Sequence, residues 1–131
     1  MIVGIGTDIV KISRIKEVYD RHENRFAEKI LCPAEVSIFQ EKQESISYLA
    51  KRFAAKEAAS KALGTGIGLI SWQDIEIKNN SLGAPILLLS GAAKARMELL
   101  GATQSFVSLS DEVSHAVAFV VLSGSSEHPT S

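Results

Sequence analysis

The segment Arg52-Phe53-Ala54-Ala55-Lys56-Glu57-Ala58-Ala59-Ser60-Lys61-Ala62-Leu63-Gly64-Thr65-Gly66 constrains this chain most strongly. Ala, Lys, Glu and Leu are strong helix formers, so the run predicts a helix to Leu63, with Gly64 as the left-handed residue just past its end. Ser45 or Ser47 can cap its start. At about 100° per residue, Glu57 and Lys61 share a face with Phe53, while Arg52 and Lys56 line a neighbouring face. Two cationic edges are therefore expected around one carboxylate. The remaining positions are mostly Ala, which lets another backbone or a ligand come close. The plainer alternative is a solvated surface helix carrying a Glu57–Lys61 pair. The following run, Gly64-Thr65-Gly66-Ile67-Gly68, predicts a loop with exposed backbone amides that permits close approach. It is not a Walker A loop, because the glycines follow the helix and no Gly-Lys-Ser/Thr leads into another. A phosphate here would meet the negative end of the helix dipole, so Lys61 with Lys56 or Arg52 would have to supply the attraction.

The rest of the chain has to support that helix. At 131 residues and 46% hydrophobic content it predicts one domain able to bury its own core. The net charge of −1 argues against a general nucleic-acid coat, so an anionic partner is recognised by local charge. Cys32 is the single cysteine, which excludes an internal disulfide and fits a buried or helix-start position in a reducing compartment. The start lacks a basic signal-peptide region, and no apolar run is long enough for a membrane span. A cytoplasmic location is expected.

In order, Ile2 to Ile5 reads as a short buried strand punctuated by Gly4 and Gly6, with Asp8 after it as a turn or cap residue among Ile9, Val10 and Ile12. Ser13 can cap a helix with Ile15, Val18 and Tyr19 as its apolar stripe. If that helix persists to Lys29, Arg14, Arg21 and Arg25 fall within one arc, which reads either as a basic docking edge for an acidic partner or as a solvated face, unless Asn24 breaks it. Cys32-Pro33 starts a fresh helix anchored by Val36 and Phe39. Asp74 to Lys78 and Ile86 to Leu89 form a hairpin, Ser90 starts a helix ended by Gly101, and Ser105–Ser110 pairs with His115–Ser123. The second of that pair is nearly all apolar and should lie centrally. The outcome is an α+β single domain over residues 1–123, a small mostly antiparallel sheet packed against helices, followed by a disordered tail over 124–131. Scattered histidines (His22, His115, His128) support neither a zinc site nor Ser-His-Asp catalysis. What remains is Asp8 and Glu57 with lysines, arginines and a glycine loop. Hard carboxylate oxygens in small number suit magnesium bridged to substrate phosphates.

The opening Gly4-Ile5-Gly6-Thr7-Asp8-Ile9-Val10 with Arg14, and the block from Lys51 to Gly66, resemble the two signature motifs of the holo-[acyl-carrier-protein] synthases, in the right order and separation. The similarity extends through Asp74-Ile75-Glu76-Ile77, Gly83-x-Pro85 and Val107-Ser108-Leu109-Ser110 to nearly the whole chain before the tail. The resemblance implies magnesium-dependent transfer of 4'-phosphopantetheine from coenzyme A to a serine of apo-acyl carrier protein, releasing adenosine 3',5'-bisphosphate and supporting fatty acid biosynthesis. It implies that Asp8 and Glu57 bind the metal, with Asp8, Glu57 and Lys61 as the catalytic set. Arg52, Lys56, Lys61 and the loop residues Gly64, Thr65, Gly66 and Gly68 are expected at the coenzyme, and Arg14, Arg21 and Arg25 at the carrier protein. It further implies homotrimers with sites between subunits. A water at the metal or oriented by Glu57 is the preferred base, with Lys56 the other candidate. Ala84 and Phe106 depart from the family's usual lysine and histidine. A non-catalytic coenzyme A or carrier-protein module is the alternative, but such a relative would be expected to have lost Asp8, Glu57 or Lys61.

Overall fold

The computed structural model describes residues 1–125. They run as β1 (Ile2–Lys11), α1 (Ile12–His22), α2 (Asn24–Ile30), α3 (Pro33–Glu41), α4 (Ile46–Ala62), a 3₁₀ turn (Trp72–Asp74), β2 (Ile75–Asn79), β3 (Pro85–Leu89), α5 (Gly91–Leu99), β4 (Ala102–Asp111) and β5 (His115–Gly124). The architecture is α+β, and every strand ladder is antiparallel: a three-stranded sheet in the order β1-β5-β4 and a separate hairpin of β2 and β3. The apolar strand β5 is central, as its composition predicts.

Helix α4 is the axis of the molecule and not a solvated surface helix. Ser45 caps it, its hydroxyl accepting from the Tyr48 amide at 3.3 Å, and Gly64 follows its end at φ 78°. Ala54, Ala55, Ala58, Ala59 and Ala62 pack with Ala118, Val120 and Leu122 of β5. Leu49 and Ala50, nearer its start, join a second cluster with Ile15, Ile30, Leu31 and Phe39. The alanines have the predicted use. A Cβ at Gly4 or Gly6 would collide with the carbonyl oxygens of Ala62 and Ala58, so β1 lies directly on the α4 backbone.

Three expectations are corrected. Strand β1 is ten residues long, and Asp8 sits inside it opposite Ala118 instead of in a turn, because β5 supplies a ladder partner for every residue from Gly4 to Lys11. Helix α1 starts at Ile12 without Ser13 as its cap and stops at His22, since Glu23 adopts φ 47°. Arg25 therefore belongs to α2, and Arg14, Arg21 and Arg25 do not share one helix. Gly124 is still in β5, its amide donating to the Met1 carbonyl at 2.7 Å, so the chain remains ordered past the expected start of the tail. The tail expected over the last residues lies outside the described residues from 126 on. The Cys32-Pro33 start and the hairpin appear where expected, each within about one residue.

Candidate active site

Alternation along β1 turns Gly4, Gly6, Asp8 and Val10 toward α4 and Ile5, Thr7 and Ile9 the other way. The glycines bring the strand against the helix, and Asp8 is thereby delivered to the turn of α4 that carries Glu57 and Lys61. Lys61 Nζ donates to Asp8 Oδ1 at 3.1 Å and to the Thr7 carbonyl at 3.0 Å, while half its side chain remains exposed. Glu57 is half-buried. Burial first, and the neighbouring Asp8 carboxylate second, hold its carboxyl above the ordinary 4.5, with Lys61 pulling the other way. The structure thus brings together Asp8, Glu57 and Lys61, three residues separated by up to 53 positions in sequence.

Lys56 is elsewhere. Its side chain is fully buried, and Nζ donates to Glu35 Oε1 at 2.7 Å, the Ile30 carbonyl at 2.7 Å and the Trp72 carbonyl at 3.2 Å. All three donors are occupied inside the core, so Lys56 is neither a cationic edge for a cofactor nor a base at the carboxylates. The helical wheel placed it correctly beside Arg52; what it lacked was the knowledge that this face points inward.

Arg52 is also buried. Its Nη2 donates to Asn79 Oδ1 at 2.8 Å, its guanidinium lies 4.5 Å above the Tyr48 ring, and Nε is buried with no hydrogen-bond partner among the described residues. It does line a cleft of about 400 Å³ whose walls carry Lys42, Lys51 and Lys78 as well as Glu76 and Asn79. Sequence reasoning missed these lysines, because they come from three separate segments and no local spacing joins them.

The glycine loop is corrected in a different way. The amides of Gly64, Thr65, Gly66 and Gly68 donate to the carbonyls of Lys61, Ser60, Ser60 and Ile70, so these four amides are not free for an anion. Positive φ at Gly64, Gly66 and Gly68 serves this tight winding. Close approach survives, because a Cβ at Gly66 or Gly68 would meet open space. The negative end of α4 is met by a residue not anticipated from sequence: Arg96 of α5, whose Nε donates to the Leu63 carbonyl at 2.8 Å.

Cys32 is buried at the start of α3, and desolvation pushes its thiol up, consistent with a structural role. His115, at the start of β5, has Nδ1 2.8 Å from the Ser114 hydroxyl. Around the α1–α2 break, Arg25 borders a cleft of about 370 Å³ with Val18, His22, Phe26 and Lys29. Among the described residues no group of three or more His, Cys, Asp or Glu gathers as a metal-binding set, so Asp8 and Glu57 stand as a pair. No helix among them is long and apolar enough to cross a membrane.

Comparison with known proteins identifies the family and the fold. Residues 4–120 match the model of the 4'-phosphopantetheinyl transferase superfamily. The holo-[acyl-carrier-protein] synthase of Alteromonas mediterranea is 56% identical over 122 residues, spanning 92% of this chain and 96% of the relative. That of Shewanella piezotolerans is 50% identical, spanning 93% and 98%. Among solved structures, holo-[acyl-carrier-protein] synthase from Neisseria meningitidis superposes with a TM-score of 0.87 at 43% identity, over 94% of this chain and 99% of that one. The Helicobacter pylori enzyme in complex with coenzyme A gives 0.80 at 38% identity, over 91% and 99%. With Asp8, Glu57 and Lys61 assembled on this fold, the chain belongs to the holo-[acyl-carrier-protein] synthases, enzymes of the 4'-phosphopantetheinyl transferase superfamily.

Proposed function

We propose that this enzyme transfers 4'-phosphopantetheine from coenzyme A to the serine of apo-acyl carrier protein, with magnesium, releasing adenosine 3',5'-bisphosphate and so supplying a carrier for fatty acid biosynthesis. The observation that carries the reading is the Asp8–Glu57–Lys61 cluster. The Asp8 carboxylate raises the cost of ionising Glu57, as expected of a pair suited to a divalent cation, and magnesium needs only one or two protein carboxylates when phosphates complete its shell. Asp8 and Glu57 would hold the ion, which when bound offsets charge on the pyrophosphate. Lys61 orients Asp8 and offers its exposed ammonium to the phosphates. With Glu57 at the metal, a water held there or oriented by Glu57 suits the removal of a proton from the attacking serine hydroxyl. Lys56, buried and saturated, is set aside as that base.

The cation-lined cleft around Arg52 supports coenzyme A as co-substrate, since a phosphate entering it would meet Lys42, Lys51 and Lys78 together with the Arg52 guanidinium. Loop 64–68 lends space for the coenzyme, the amides of Gly64, Thr65, Gly66 and Gly68 being engaged within the fold. For the carrier protein, Arg14 and Arg21 of α1, seven residues apart and thus on one face, form a basic edge that Arg25, His22 and Lys29 extend across the helix break. Homotrimer assembly is supported by the outer face of the three-stranded sheet, where Ile5, Ile9, Phe106, Val117 and Phe119 are all exposed. Phe106 lies on that face, so its departure from the family histidine would be felt at the contact between copies. A cytoplasmic location completes the reading.

Intact mass of apo-acyl carrier protein incubated with coenzyme A, magnesium and the enzyme tests it. The carrier gains one phosphopantetheine. An unchanged mass with folded enzyme and several carrier proteins tried would favour the non-catalytic binding module instead.

A further inference from the structure

Lys56 and Glu35 form the one ion pair among the described residues whose side chains are both buried to within 1%. Glu35 has no role in the transfer chemistry described above, yet its carboxylate is fully engaged. Oε1 accepts from Lys56 Nζ at 2.7 Å and from the Cys32 amide at 2.8 Å, while Oε2 accepts from the Ile77 amide at 2.8 Å. One carboxylate therefore ties the first turn of α3, the middle of α4 and the strand β2. Such a pair is a poor device for stability alone, because well-packed apolar residues of the same volume often do as well or better. Its attachments are directional instead.

Each end of the pair sits next to one half of the site. Lys56 immediately precedes Glu57, and successive helical residues are about 100° apart, so a rotation of α4 that Lys56 resists would swing Glu57 relative to Asp8. Ile77 is flanked by Glu76 and Lys78, both of which line the cleft with Asn79, the acceptor for Arg52. We infer that the buried Glu35–Lys56 pair is a positioning device that sets α4 and β2 in one relative orientation, so that Glu57 on α4 and the cation-lined cleft beside β2 are each held in their working positions. This rests on the proposed transfer from coenzyme A.

Two variants separate positioning from simple stability. In Glu35→Gln the amide oxygen takes the place of Oε1, where Lys56 and Cys32 both donate, and the amide nitrogen is left facing the Ile77 N–H. Donor then faces donor, so the β2 attachment is broken, while Lys56 keeps a hydrogen-bond acceptor but loses its counter-charge. The expected result, measured well below its melting temperature, is a KM for coenzyme A raised on the order of tenfold, with the magnesium concentration for half-maximal rate unchanged. The paired replacement Glu35→Met with Lys56→Met removes both charges and keeps volume. It is expected to fold, to raise both the coenzyme A KM and the half-saturating magnesium, and to lower kcat by about tenfold or more. A purely structural pair would lower the melting temperature of either variant and leave kcat, KM and magnesium dependence of the folded protein at wild-type values, which would overturn the proposal. If the double variant does not fold, Glu35→Gln decides by its split between the two constants: equal change in both, or in neither, overturns it. Calorimetric titration of magnesium and of coenzyme A into wild type and Glu35→Gln reads the same split without turnover. A wild type that binds both and transfers nothing would sink the function reading while leaving the positioning proposal to be judged by those titrations.

Discussion

Adjacent residues on α4 have opposite fates, and burial decides them. Lys56 is enclosed with its ammonium on Glu35 and backbone carbonyls, whereas Glu57 reaches the β1 side near Asp8 and is only half-buried. Because its folded pKa lies above the ordinary 4.5, whatever Glu57 contributes to stability is fully present below that value and is lost as pH rises through the folded pKa. Glu57→Gln cannot ionise. Its melting temperature, measured without magnesium, should match wild type below pH 4.5 and exceed it by a constant margin once the pH has passed the folded pKa. Magnesium should then raise the wild-type melting temperature and leave the variant unmoved, and the variant's transfer rate should fall by at least about a hundredfold, the usual scale for losing a group that stabilises charge in the transition state. A variant no more stable than wild type at pH 7 would contradict the carboxylate repulsion, and one with near-wild-type rates at limiting magnesium would contradict the ligand assignment.

At the scale of elements, two local features decide where function can sit. Gly4 and Gly6 let β1 touch the α4 backbone, which is what places a strand carboxylate beside a helix carboxylate. The positive φ at Glu23 ends α1 and lets α2 turn away, so the basic edge is split between two helices. Arg14 and Arg21 still share α1. Reversing both to Glu should raise the carrier-protein KM by several-fold to about tenfold and flatten its salt dependence, since exposed charges act on encounter and are screened within about 10 Å at 0.1 M salt. The coenzyme A constant should not move. Equal damage to both constants, or none to either, would mean that these arginines are merely solvated.

For the whole molecule, the two faces of the three-stranded sheet are unlike. The inner face is closed by α4, with Ala116, Ala118, Val120 and Leu122 buried. The outer face leaves Phe119 45% and Ile9 64% exposed, alongside Ile5, Phe106 and Val117. A contiguous apolar surface of this kind on a chain of 14.1 kDa is stable in water when other copies cover it. Sedimentation should show a species of three chains, and Phe119→Glu should dissociate it, with loss of transfer if sites lie between subunits. A monomer that is fully active at assay concentration would refute shared sites.

Local pattern determined a great deal here. The α4 cap at Ser45 and its stop at Gly64, the Cys32-Pro33 helix start, the hairpin and the central position of β5 are all short-range propensities, and each is legible because the physical cause lies within a few residues of the effect. The two motifs also named Asp8, Glu57 and Lys61 as one set. What only the tertiary structure decided is which side of each element faces inward. A helical wheel ranks residues by angle but carries no inward direction, so it could not separate Lys56, sealed against Glu35, from Lys61, half in water. Glu35 itself had a faint local signal, three residues after the Cys32 cap position, where a carboxylate can reach back to the first amide. Its bonds to Lys56 and Ile77 span 21 and 42 residues, and contacts of that separation are settled by packing, which no local spacing encodes.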